Sequence, residues 1–126
     1  MADSSQNKSM RDIVEIHKLE LSAKNSSKVR ELHKALEMYH RVLRLKSALK
    51  NKVGTARTLK SIGRLYYELG DYQKSKLYHD KLMELLDSLT AVQMKIDFYR
   101  YLRGFYEIIG DLAVIEFING KLDALS

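Results

Sequence analysis

The sequence predicts an all-α chain of about three antiparallel helical hairpins, five to six helices in all. First, there is no Pro to interrupt a helix and no Cys to staple a small irregular fold, while Leu, Lys and Glu are abundant in segments whose apolar residues recur at helical spacing. Second, Gly and Asp fall between those segments, at 70–71 and again at 110–111. Third, the chain resembles itself when slid by 40 residues. Tyr66 then falls on Tyr106, Gly70 on Gly110, Asp71 on Asp111, Tyr72 on Leu112 and Leu82 on Leu122; in the other direction Leu59 falls on Leu19, Ser75 on Ala35, Leu82 on Val42 and Leu85 on Leu45.

The opening residues 1–9 are small and polar, and with nothing to bury they are expected to form a disordered tail before a single helical domain over 10–126. A first helix is expected from about Met10 to Lys24, with Ile13, Ile16 or His17, and Leu21 inward, broken by Asn25-Ser26-Ser27. The second is expected from about Lys28 to Lys50, burying Val29, Leu32, Leu36, Tyr39, Leu43 and Leu49; Asn51 to Gly54 then forms a connection. From Thr55 to Leu86 two helices fold back on each other at Leu69-Gly70-Asp71. Leu59, Ile62, Tyr66 and Leu69 form one stripe, and Leu77, Tyr78, Leu82 and Leu85 the other. A fifth helix is expected from about Ala91 to Ile109, a turn at Gly110-Asp111, and a sixth helix to about Ala124.

The middle hairpin carries the most specific pattern. Leu59-x-x-Ile62-Gly63-x-x-Tyr66, Gly70-Asp71-Tyr72, then Ser75 and His79, resembles the helix-turn-helix signature of the tetratricopeptide repeat, with Leu59 where that family often has Trp and His79 where it usually has an aromatic. In such a unit Gly63 lets the partner helix approach, Ser75 is its small counterpart, Tyr66 and Tyr72 fill the wedge below the turn, and Gly70 closes the first helix in a left-handed conformation. The resemblance implies a right-handed superhelical array that binds other proteins. The outer hairpins match less well, with Arg103 in place of Gly63 and Arg30-Glu31 in place of the Gly-Asp turn. A 40-residue period is similar to the long-repeat variant of Pins-like scaffold proteins, which implies recognition of acidic peptides.

Charge supplies the functional signal. The net charge is +6, but residues 28–64 carry eleven Lys and Arg against two acids, and between Arg41 and Arg64 eight bases stand with no acid at all. Unrelieved like charge at helical spacing calls for a partner of opposite sign. In the family the first helix of each hairpin faces the ligand. Carried onto this sequence the positions are Arg57, Lys60, Ser61, Arg64, Tyr67 and Glu68, then Asp97, Arg100, Tyr101, Gly104, Glu107 and Ile108. The resemblance thus implies peptide binding by Arg57, Lys60, Ser61, Arg64, Tyr67, Arg100 and Tyr101, with an acidic segment of another protein as ligand. Two other readings stand beside it: nucleic-acid binding by the basic face of 41–64 with Tyr stacking on bases, and self-association or docking to a larger subunit through the apolar C-terminal hairpin, where Ile108, Ile109, Leu112, Val114, Ile115, Phe117 and Ile118 cluster.

Catalysis finds no constellation. Glu37-x-x-His40 is half of a di-iron pattern without its second copy, and His17, His33, His40 and His79 form no metal-ligand spacing. No phosphate loop follows a strand. The expectation is a non-enzymatic adaptor without metal or cofactor, cytoplasmic or nuclear, since no apolar run suggests a signal peptide or a membrane span.

Overall fold

A computed structural model describes residues 4–28 and 30–126. Six helices follow in order: α1 (Ser4–Lys28), α2 (Leu32–Ala48), α3 (Lys52–Glu68), α4 (Tyr72–Leu86), α5 (Val92–Ile109) and α6 (Leu112–Leu125). They pair as the three expected antiparallel hairpins. The chain divides into two compact units, Met1–Tyr78 and His79–Ser126, with the boundary inside α4.

The turns repeat with the 40-residue period, and their backbone explains why. Arg30, Gly70 and Gly110 all have positive φ, at 66°, 81° and 76°. At each, the next amide reaches back five residues: Glu31 N–H donates to Ser26 O (2.7 Å), Asp71 N–H to Tyr66 O (2.9 Å), Asp111 N–H to Tyr106 O (3.1 Å). This is the bonding of a helix closed by a left-handed residue, which consumes carbonyls otherwise orphaned at the helix end. Asp71 and Asp111 then cap the next helix, accepting from the amides of Lys74 (3.1 Å) and Val114 (3.2 Å). Glu31 makes no such side-chain bond, so the first turn keeps the backbone geometry without the cap.

Several boundaries differ from expectation. α1 starts at Ser4 instead of Met10 and runs through Asn25-Ser26, so the long helix is the first, with 25 residues, and α2 has 17. Without Gly or Pro in that stretch, a helix already held by packing extends at little cost, and the real stop is the left-handed Arg30. The residues 4–9 expected as tail are therefore helical, while 1–3 and the expected core position Val29 lie outside the described residues. α3 begins at Lys52: Asn51 is its N-cap, accepting from Gly54 N–H at 2.8 Å, so Asn51 to Gly54 is a helix start and no connection.

In the first unit Ala23, Leu32, Ala35, Leu36, Tyr39, Ile62 and Leu65 form one buried cluster across α1, α2 and α3. Of the inward set expected for α1 only Ile16 is buried; Ile13, His17 and Leu21 are exposed. The expected α2 positions Leu43 and Leu49 are half-buried, and Lys46 is buried although charged. Gly63 and Ser75 are both buried, and the Ser75 hydroxyl donates to the Gly63 carbonyl at 2.7 Å, so α4 crosses α3 where the missing side chain allows it. Tyr66 stacks on Tyr78 as a wedge should, but Tyr72 is 59% exposed and meets the Tyr67 ring, at 5.3 Å between centroids. Along α4 the buried apolar line is Leu82 and Leu86, with Leu77 exposed and Tyr78 and Leu85 half-buried. In the second unit Phe98, Tyr99, Leu102, Phe105, Tyr106 and Ile118 are buried, whereas Ile108, Leu112 and Phe117 are exposed.

Candidate functional site

Arg57, Lys60 and Arg64 stand at i, i+3 and i+7 along α3, which puts them on one side of the helix. Arg57 and Arg64 are exposed and Lys60 half-buried. Among the described residues no ion pair involves Arg57 or Arg64, although Glu68, the only acid on α3, stands four residues after Arg64. Burial pushes the Lys60 ammonium below its ordinary range, and the Arg64 charge one turn away pushes the same way. Ser61 turns toward the fold: its hydroxyl donates to Arg57 O at 3.2 Å and is hydrogen-bonded to Tyr39 of α2. Tyr67 is exposed beside Tyr72.

Not all of the basic run remains uncompensated. Arg41 pairs with Glu15 of α1, and Lys46 reaches Glu20 of α1 at 2.9 Å. Lys46 is only 7% exposed, its stem lying against Gly54 and its ammonium carried out to the carboxylate. Sequence reasoning missed this pair, since neither residue announces burial and the partners are far apart in the chain.

On α5, Arg100 is exposed and makes no ion pair among the described residues: Asp97 accepts from Gln93 at 3.0 Å, and Glu107 faces Arg103 at 3.9 Å. Tyr101 is half-buried, its hydroxyl bonded to His79 Nε2 at 2.7 Å and its ring stacked on the imidazole. His79 is fully buried and lies 3.7 Å from the Phe105 ring centroid, nearly parallel to it. The histidine fills the aromatic position as a ring and adds a hydrogen bond. Deeper in the same unit Tyr106 donates to Asp80, and Tyr99 to Asp87 at 3.3 Å, where Lys121 also arrives at 3.2 Å. Burial first, then Asp87, pushes the Tyr99 phenol up to about 12; burial and Asp80 raise that of Tyr106 as well.

These polar joints recur at the repeat period. Tyr39 meets Ser61 and, 40 residues on, His79 meets Tyr101; His40 meets Tyr66 at 3.0 Å and, 40 residues on, Asp80 meets Tyr106. Each joins the second helix of one hairpin to the first helix of the next. Residues 26–88, half of the chain, match the family profile described as tetratricopeptide repeat. The chain belongs to the tetratricopeptide-repeat family. Neither a curated protein nor a solved structure matches it. Tetratricopeptide repeats are protein–protein interaction modules, and the match spans α2, α3 and α4, including the exposed bases of α3. Among the described residues no helix is long and apolar enough to cross a membrane.

Proposed function

We propose that this tetratricopeptide-repeat chain is an adaptor that holds an acidic segment of another protein against the exposed side of α3. Arg57, Lys60 and Arg64 supply the charge there, with Tyr67 and Ser61 flanking them; taken by itself, α5 of the second unit carries Arg100 and Tyr101 as a separate candidate contact. The observation that carries the reading is that Arg57 and Arg64 are exposed with no acidic partner among the described residues, on a helix side with no structural use for them. Arg presents a planar fork to a carboxylate, and a half-buried Lys whose charge is already strained gains most from an arriving anion. The 40-residue spacing resembles that of the long-repeat, Pins-like variant, and this resemblance is what points to an acidic peptide as ligand.

The test is charge reversal at Arg57 and Arg64 together, read by binding to acidic peptides and by thermal melting. Binding falls and the melting point holds if the side is functional, because both groups are exposed in the free protein; Lys60, half-buried, is left unchanged. Arg44, exposed and on α2, is the control; Arg41 is unsuitable because its reversal would repel Glu15. Tight, sequence-blind binding to single-stranded RNA that falls steeply with salt, without selectivity among peptides of equal charge, would replace the acidic-segment reading by the nucleic-acid one.

A further inference from the structure

Along α5, Arg100, Gly104 and Ile108 stand at i, i+4 and i+8 and form one ridge. Each is exposed, Ile108 by 66%. A Gly in the interior of a helix costs about 1 kcal/mol relative to Ala unless backbone approach requires it. Here no atom lies within 4 Å of where a Cβ would stand, so nothing in the chain's own fold calls for the missing side chain. The adjoining turn does use its glycine, since Gly110 has φ 76°; Gly104 has no such conformation. On either side of the bare backbone stand a cation with no ion pair among the described residues and a large aliphatic group left in water. Charge and apolar surface so placed fit a ligand bearing both a carboxylate and an aliphatic side chain, whose main chain crosses the helix at Gly104.

We propose that α5 reads an extended segment in which an acidic residue is followed, three to four positions on, by a Leu-like residue. The acid meets Arg100, the ligand backbone lies on Gly104, and the aliphatic side chain covers Ile108. The spacing follows from dimensions: eight helical residues span about 12 Å, which an extended chain covers in about 3.6 residues. The proposal rests on the acidic-segment reading above and makes it specific.

The probe is a set of fluorescein-labelled peptides, each a Glu-Glu-Glu block followed by one Leu after one to eight Gly/Ser residues, titrated by fluorescence anisotropy. Affinity is expected to be highest with Leu at the second to fourth place after the block, where one of the three Glu stands three or four positions before it, by about tenfold over a peptide lacking Leu. Gly104→Ala is expected to raise the melting point by a few degrees, since Ala is the better helix former, yet to weaken the best peptide about tenfold. Ile108→Ser is expected to abolish the dependence on Leu position while leaving binding of the Glu block. Equal affinity wherever Leu stands, or unchanged affinity in Gly104→Ala, overturns the proposal and leaves the α3 reading intact. Absence of binding by every peptide overturns both.

Discussion

At the scale of single residues the left-handed positions are the clearest case of physics overriding composition. Lys50, with φ 57°, closes α2 as Arg30 closes α1, and Arg30 carries a side chain where the two later hairpin turns have Gly. The left-handed region costs a residue with a Cβ about 1–2 kcal/mol, part of which Gly returns as chain entropy. Lys50→Gly is therefore expected to raise unfolding free energy by about 0.5–1 kcal/mol, and Gly70→Ala to lower it by a similar amount, both measured by urea titration. Gly63→Leu should be far worse, since Ser75 already lies in hydrogen-bond contact with that backbone; an overpacking loss of about 1–3 kcal/mol or more is expected in the same assay. The Gly63 and Ser75 crossing was readable in the sequence because small residues at paired helical positions have few other uses. The burial of His79 was not, because composition counts histidine as polar, and only its place in an aromatic register hinted that it would stack on Phe105.

Between elements, stability is carried by polar pairs that the apolar pattern does not advertise. Glu20→Gln leaves the buried Lys46 ammonium without its counter-charge; a loss of about 2–3 kcal/mol is expected, less than for a fully enclosed pair because Glu20 is partly exposed. Gly54→Ala tests the start of α3. A Cβ there would lie 2.8 Å from Asn51 Cγ and 2.9 Å from Lys46 Cδ, so the cap is displaced and about 1 kcal/mol is lost. The α4–α5 contacts make a prediction in pH. Tyr99 titrates near 12 in the fold against 10.0 for a free phenol, so its contribution is complete below pH 10 and declines as pH rises toward 12. Tyr99→Phe should flatten the alkaline fall in denaturant midpoint relative to the parent. Asp87, held low chiefly by its bond from Lys121, acts on the other side: its contribution is present above the ordinary Asp range and fades as pH drops below it. Helix number and the later turns were legible because Gly-Asp marks them. The α1–α2 boundary was not, since Arg30 gives no sign that it will take a glycine conformation.

At the scale of the molecule, the charge count misleads until the ion pairs are known. Eight bases between Arg41 and Arg64 suggest a continuous cationic surface, yet Arg41 and Lys46 are matched by acids of α1 that the local sequence does not contain. The period of 40 was legible in the later two hairpins, where Gly-Asp recurs at 70–71 and 110–111, and fainter in the first, where Arg30-Glu31 holds the turn. What it did not disclose is that the joints between hairpins repeat in position and change in chemistry, from Tyr39 with Ser61 to His79 with Tyr101, and from His40 with Tyr66 to Asp80 with Tyr106. A chain of near-identical hairpins faces an assembly problem, since each second helix meets several first helices of similar shape while folding. Were the side of α4 that carries His79 to meet the α3 sequence in place of α5, His79 would face the short Ser61 and lose both the Tyr101 hydroxyl and the Phe105 ring. The two joints thus act as keys cut to different locks, and they give each hairpin a preferred neighbour in a fold whose backbone alone would not distinguish them.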